Sequence, residues 1–90
     1  MISNDISNKI SQLRTQLALK TDLPSRLRKL GEEVGELAEA VANGGIDQIG
    51  EEGADVIIVA WDILELAGFS PLGAVISKLD AKLRAIKEGA

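Results

Sequence analysis

The sequence predicts an all-α fold, with four helices per chain forming a bundle completed by oligomerisation. Three observations lead there. Apolar residues recur at steps of three and four along most of the chain, the spacing of one helix face. The apolar mass is Leu, Ile, Ala and Val, with Trp61 and Phe69 the sole aromatics. Finally, Val56 to Trp61 is apolar all round in a chain of 90 residues. A chain of that size buries only roughly 60–65% of its unfolded surface alone, so enclosing such a helix calls for a second copy.

In the first helix, Ile2, Ile6, Ile10, Leu13 and Leu17 form one stripe, with Ser3, Asn4 or Asp5 as the expected cap. Thr21-Asp22-Leu23-Pro24 breaks and restarts the chain, proline being tolerated in a first turn. The second helix is expected from Pro24 to Ala42, with the stripe Leu27, Leu30, Val34, Leu37, Ala38 and Val41, ended by Asn43-Gly44-Gly45. The third runs from Asp47 to Ala67 and stops at Gly68. Its β-branched centre also fits a short buried strand, but the helical steps on both sides outweigh that reading. Ser70-Pro71 opens the fourth helix, striped by Leu72, Val75, Ile76, Leu79, Leu83 and Ile86. No repeat or linker divides the chain, so residues 1–90 form one domain.

Composition narrows the chemistry. There is no cysteine and no histidine. Disulfides, zinc sites built on thiolate or imidazole, and His- or Cys-based catalysis are therefore excluded. The net charge of −4 disfavours nucleic acid polymers and anionic membranes as partners. The longest apolar run is too short to span a bilayer. The N-terminal residues lack the pattern of a signal peptide, so a cytoplasmic location is expected.

The charges are segregated. All ten Lys and Arg fall within residues 9–29 and 78–87, while the span 30–77 holds ten of the fourteen acids. At about 100° per residue, Glu33 borders the apolar stripe of the second helix and Glu36 adjoins it, while Glu32 and Glu39 turn to water. On the third helix Glu52 and Asp55 fall in line with Val59 and Leu66, on an arc expected to be buried. Glu51 and Glu65 read as ordinary exposed acids. A buried carboxylate without a partner is costly. An antiparallel hairpin of the two helices brings Glu33, Glu36, Glu52 and Asp55 together, and oxygen ligands without imidazole favour Mg²⁺ or Mn²⁺. Asp62 continues this face, either as a contact around the metal or to substrate, or at the rim of the bundle. Trp61 lies away from it and reads as a core or interface residue. Gly31 and Gly35 read as a close helix contact.

The run Gly31-Glu32-Glu33-Val34-Gly35-Glu36-Leu37-Ala38-Glu39-Ala40, followed by Glu51-Glu52-Gly53-Ala54-Asp55-Val56-Ile57-Ile58, resembles the MazG-like nucleotide pyrophosphohydrolases. The family pattern is E-E-x-x-E, a spacer, then E-x-x-D. Here fifteen residues separate Glu36 from Glu52. The resemblance covers roughly residues 24–88. It implies a homodimer or homotetramer in which Glu33, Glu36, Glu52 and Asp55 hold Mg²⁺. It also implies hydrolysis of a nucleoside triphosphate or deoxynucleotide to monophosphate and pyrophosphate, a housekeeping of the nucleotide pool. Lys78 and Arg84 match the Lys-x-x-x-Asn-x-Arg-like stretch of the family's last helix, whereas Lys82 stands at its Asn position. These three are the expected substrate contacts. A phosphoribosyl-ATP pyrophosphohydrolase and an idle helical dimer acting as an interaction module are the alternatives.

Overall fold

The computed structural model describes residues 2–89, with side chains from Asn4 onward. It contains four helices: α1 (Ile2–Gln16), α2 (Leu23–Asn43), α3 (Ile46–Leu66) and α4 (Pro71–Lys87). No strand occurs among the described residues, so Val56–Trp61 is helical. The helix ends fall within about a turn of those expected from sequence.

Local chemistry sets those ends. The side chain of Asp22 caps α2 by accepting from the Ser25 N–H at 3.0 Å, and Pro24 follows in the first turn. Ser70 caps α4 in the same way through Gly73 N–H, with Pro71 next. For α1 the expectation differs from the structure. Asn4 and Asp5 lie inside the helix rather than ahead of its first turn, while the side chains of Ile2 and Ser3 lie outside the described residues. At the other end of α1, Leu19 N–H reaches Arg14 O at 3.0 Å and Ala18 N–H reaches Thr15 O, with Ala18 at φ +50°. This is a Schellman closure with alanine in the left-handed position that usually takes glycine. The same closure ends α3, where Phe69 N–H reaches Leu64 O and Gly68 supplies φ +93°. At the α2–α3 turn, a Cβ on Gly44 would lie 2.8 Å from Ala40 O and would collide with the Gln48 side chain. The chain can reverse so tightly only because that position is glycine.

The α2–α3 hairpin is the body of the molecule. α1 lies along α3, and α4 leaves α3 at 99°. The hairpin seam is unusually polar: Arg26, Glu33 and Asp62 are as buried as Ile10, Ala40 and Val59. On α2 the buried positions are Arg26, Glu33 and Ala40, seven residues apart and therefore in line on one face.

This shifts the expected burial of α2 to one side. Leu27, Val34 and Val41, the middle of its apolar stripe, are exposed, Val41 at 63%. The chain covers the shoulder of the stripe and leaves its centre open. Ile57, within the all-apolar stretch of α3, is also exposed, as is the whole α4 stripe from Leu72 to Ile86. Between α1 and α3 runs an apolar groove of about 370 Å³, lined chiefly by Ile6, Ile10, Leu13, Ile57, Ile58 and Trp61. Trp61 packs there and donates its indole N–H to Ser7 Oγ at 3.2 Å, as a core or interface residue does. Gly31 and Gly35 make no close helix contact, since a Cβ at either would meet nothing within 4 Å.

Candidate metal centre

Glu33 and Glu36 stand one turn apart on α2, and Glu52 and Asp55 one turn apart on α3. The antiparallel hairpin turns both pairs toward each other. Each of the four offers an oxygen such that all lie within 4.8 Å of one another. Glu33 is buried at 6% exposure, Glu52 is half-buried, and Glu36 and Asp55 are exposed. The cluster thus has a closed inner side and an open outer side. The buried arc expected for Glu52 and Asp55 holds for Glu52 only in part, and Asp55 faces solvent.

The electrostatics carry the mark of crowded acids. Glu36 is held above the usual glutamate range, first by the hydrogen bond it shares with Glu52 and then by the charge of Glu33. Lys29 Nζ donates to Glu33 Oε1 at 3.0 Å, and that bond is the main reason its ammonium is held above the usual lysine value. The other oxygen of Glu33, Oε2, and Glu52 Oε2 are buried with no hydrogen-bond partner. Orphaned buried oxygens of this kind need a cation or a proton to offset their desolvation. The donor set is entirely hard oxygen, which fits a divalent ion of the Mg²⁺ or Mn²⁺ type.

The remaining acids sort differently. Glu32, Glu39 and Glu51 are exposed, and Glu39 accepts from Asn43 Nδ2 at 2.9 Å. Glu65 is half-buried, away from the cluster. Asp62 is neither at the rim nor free to touch a substrate. It is 1% exposed, and both its oxygens are taken: Oδ1 by Arg14, whose Nε lies at 3.0 Å and whose Nη2 binds the same atom, and Oδ2 by Arg26 Nε at 2.9 Å. One aspartate on α3 therefore fastens both α1 and α2. Lys78, Lys82 and Arg84 lie exposed on α4. Among the described residues, the cations paired with acids are Arg14, Arg26 and Lys29, none of which the sequence reading singled out. The seven-residue steps from Arg26 to Glu33 and from Asp55 to Asp62 put each pair on one helix face but do not identify partners across helices.

The described residues thus form an all-α hairpin presenting four converging carboxylates that could hold a metal ion, two of them with orphaned buried oxygens. The chain belongs to the MazG nucleotide pyrophosphohydrolase domain family, whose model matches residues 22–87. No curated protein and no solved structure matches it.

Proposed function

We propose that the protein hydrolyses nucleoside triphosphates or deoxynucleotides to the monophosphate and pyrophosphate, using Mg²⁺ with Mn²⁺ as a possible substitute, as a housekeeper of the nucleotide pool. The observation that carries this reading is the pair of orphaned buried oxygens, Glu33 Oε2 and Glu52 Oε2, on two of the four acids that each offer an oxygen within 4.8 Å of the others. A bound divalent ion would neutralise phosphate oxygens and make water a better nucleophile. Glu33 and Glu52 would hold it from the closed side, Glu36 and Asp55 from the side open to the nucleotide. Lys78, Lys82 and Arg84 remain candidate substrate contacts.

The working form is a homodimer or homotetramer, in the cytoplasm. The exposed line Leu27, Val34 and Val41, the α1–α3 groove and the bare α4 stripe support this, because each leaves large apolar side chains in water that a second copy would cover. No single helix among the described residues is long and apolar enough to cross a membrane. Sedimentation at micromolar concentration is expected to give a dimer or tetramer, and a stable monomer on dilution would overturn the assembly.

The test of activity is pyrophosphate release from a panel of nucleotides, phosphoribosyl-ATP among them, with Mg²⁺ and with EDTA. Release that needs Mg²⁺ and is abolished by EDTA is expected. No release from any nucleotide would overturn the proposal and favour an interaction module.

A further inference from the structure

Lys29 stands between two features. One turn along α2 it donates to Glu33 Oε1 at 3.0 Å, while Glu33 Oε2 stays buried without a partner. Toward α1 it lines a cavity of about 410 Å³ beneath the α1–α2 connection, shared with Lys20, Ser25, Arg26, Arg28 and Glu32. An ammonium has three N–H donors. Glu33 takes one of them, and Glu32 Oε2, at 3.6 Å, lies beyond ordinary hydrogen-bond reach.

The cavity's other cations differ in how committed they are. Arg26 is spent on Asp62 and is buried with it. Arg28 makes one bond, from Nη2 to Ser25 Oγ at 3.1 Å, which leaves most of its guanidinium donors free. Lys20 is exposed on the cavity wall. Glu32 is the acid that faces them. The result is a concave basic site that touches the acidic cluster through one side chain, in a chain whose residues 30–77 contain no base.

We infer that this cavity is an anion subsite, built by Lys20, Arg28 and Lys29, for the terminal phosphates of the nucleotide and for the pyrophosphate they become. The inference rests on the proposed pyrophosphohydrolase reading and extends it. Lys29 lines the basic cavity and pairs with Glu33 of the cation cluster, so the two sites adjoin as the two ends of a bound triphosphate require. Lys29 is the positioning residue at the junction: it orients Glu33 and offers its remaining donors to phosphate. Ion and leaving group are thereby linked through one ammonium.

The probe is inorganic pyrophosphate, titrated calorimetrically into the full chain with Mg²⁺ at about 0.15 M salt, where diffuse surface attraction is largely screened. Lys20→Ala combined with Arg28→Ala is expected to weaken pyrophosphate binding at least about tenfold, the scale of one lost charge-assisted hydrogen bond. Mn²⁺ affinity, read by electron paramagnetic resonance, is expected to stay within about twofold in that variant, because neither residue touches the carboxylates. Lys29→Gln is expected to change both readouts. Pyrophosphate affinity unchanged in the double variant, or reduced no more than in Lys87→Ala on distant α4, would overturn the subsite. The two proposals fail separately. A wild type that releases no pyrophosphate from nucleotides, yet binds it through Lys20 and Arg28, removes the reaction and keeps the subsite. Release that persists with pyrophosphate binding indifferent to these residues does the reverse.

Discussion

Asp55 and Asp62 lie seven residues apart on one side of α3, both beside α2, yet their surroundings are opposite. Asp62 is sealed from water with a guanidinium on each oxygen. Asp55 is exposed and converges with Glu33, Glu36 and Glu52, a group with one ammonium, Lys29, against it. The first cluster is balanced and ties three helices together. The second carries excess negative charge and buried oxygens without partners, which lowers stability unless something cationic binds. A polar seam between two helices can thus hold a balanced structural joint and an unbalanced acidic cluster within two turns, and the local charge balance distinguishes them.

The strongest way to break this contrast is to neutralise each aspartate in turn. Asp62→Asn leaves two arginines without their counter-charge, one of them buried, and is expected to destabilise the fold by about 3–5 kcal/mol. In a small domain of roughly 5–15 kcal/mol total stability that approaches unfolding. Asp55→Asn is expected to leave the metal-free protein as stable as the wild type or more so, while slowing pyrophosphate release at least ~10–100-fold. Denaturant midpoints and turnover at saturating Mg²⁺ read the two axes. Similar destabilisation by both substitutions would erase the distinction.

Acidity sharpens it further. Because the folded state raises the affinity of Glu36 for a proton, the metal-free fold keeps a proton there that the unfolded chain releases. That contribution to stability is fully present below the ordinary glutamate value and is lost as pH rises through the elevated one. Cation affinity runs the other way, since ligands must be ionised, and climbs over the same interval. Melting and Mn²⁺ titrations from about pH 4 to 8 should show the two trends crossing. Glu36→Gln should flatten the melting trend, and a wild-type melting profile that rose through this interval without metal would contradict the assignment.

A smaller effect compares the two Schellman ends. Gly68 adopts its left-handed φ without strain, whereas Ala18 does so with a Cβ. Ala18→Gly should stabilise the protein by roughly 0.5–1 kcal/mol, the steric relief less the entropy that glycine loses. No gain in the thermal midpoint would mean that Ala18 is not left-handed in solution.

Much of this was legible before the structure. Alternating steps of three and four fixed the helices, and proline and glycine fixed most of their ends. The acids without bases between residues 30 and 77 pointed to Glu33, Glu36, Glu52 and Asp55. The Asp62 joint was not legible, because a carboxylate on a buried arc has the same rotational signature whether it meets a cation or a guanidinium from another helix. Arg14 reaches Asp62 across 48 residues of sequence, a pairing that periodicity does not reveal. Burial on α2 was misplaced for a related reason. The apolar stripe centred on Val34 marks surface that prefers to leave water, and the chain itself covers the neighbouring face, where Arg26 and Glu33 sit.

The most direct test is the thermal stability of the wild type and of Glu52→Gln combined with Asp55→Asn, each with and without Mg²⁺. If the four carboxylates form the cation site, metal raises the wild-type midpoint, by up to about 2.7 kcal/mol of stability at a hundredfold excess over its Kd. The double variant should then be more stable than the wild type without metal, its repulsion relieved, and should not respond when Mg²⁺ is added. Equal Mg²⁺ shifts in the two proteins would contradict the site.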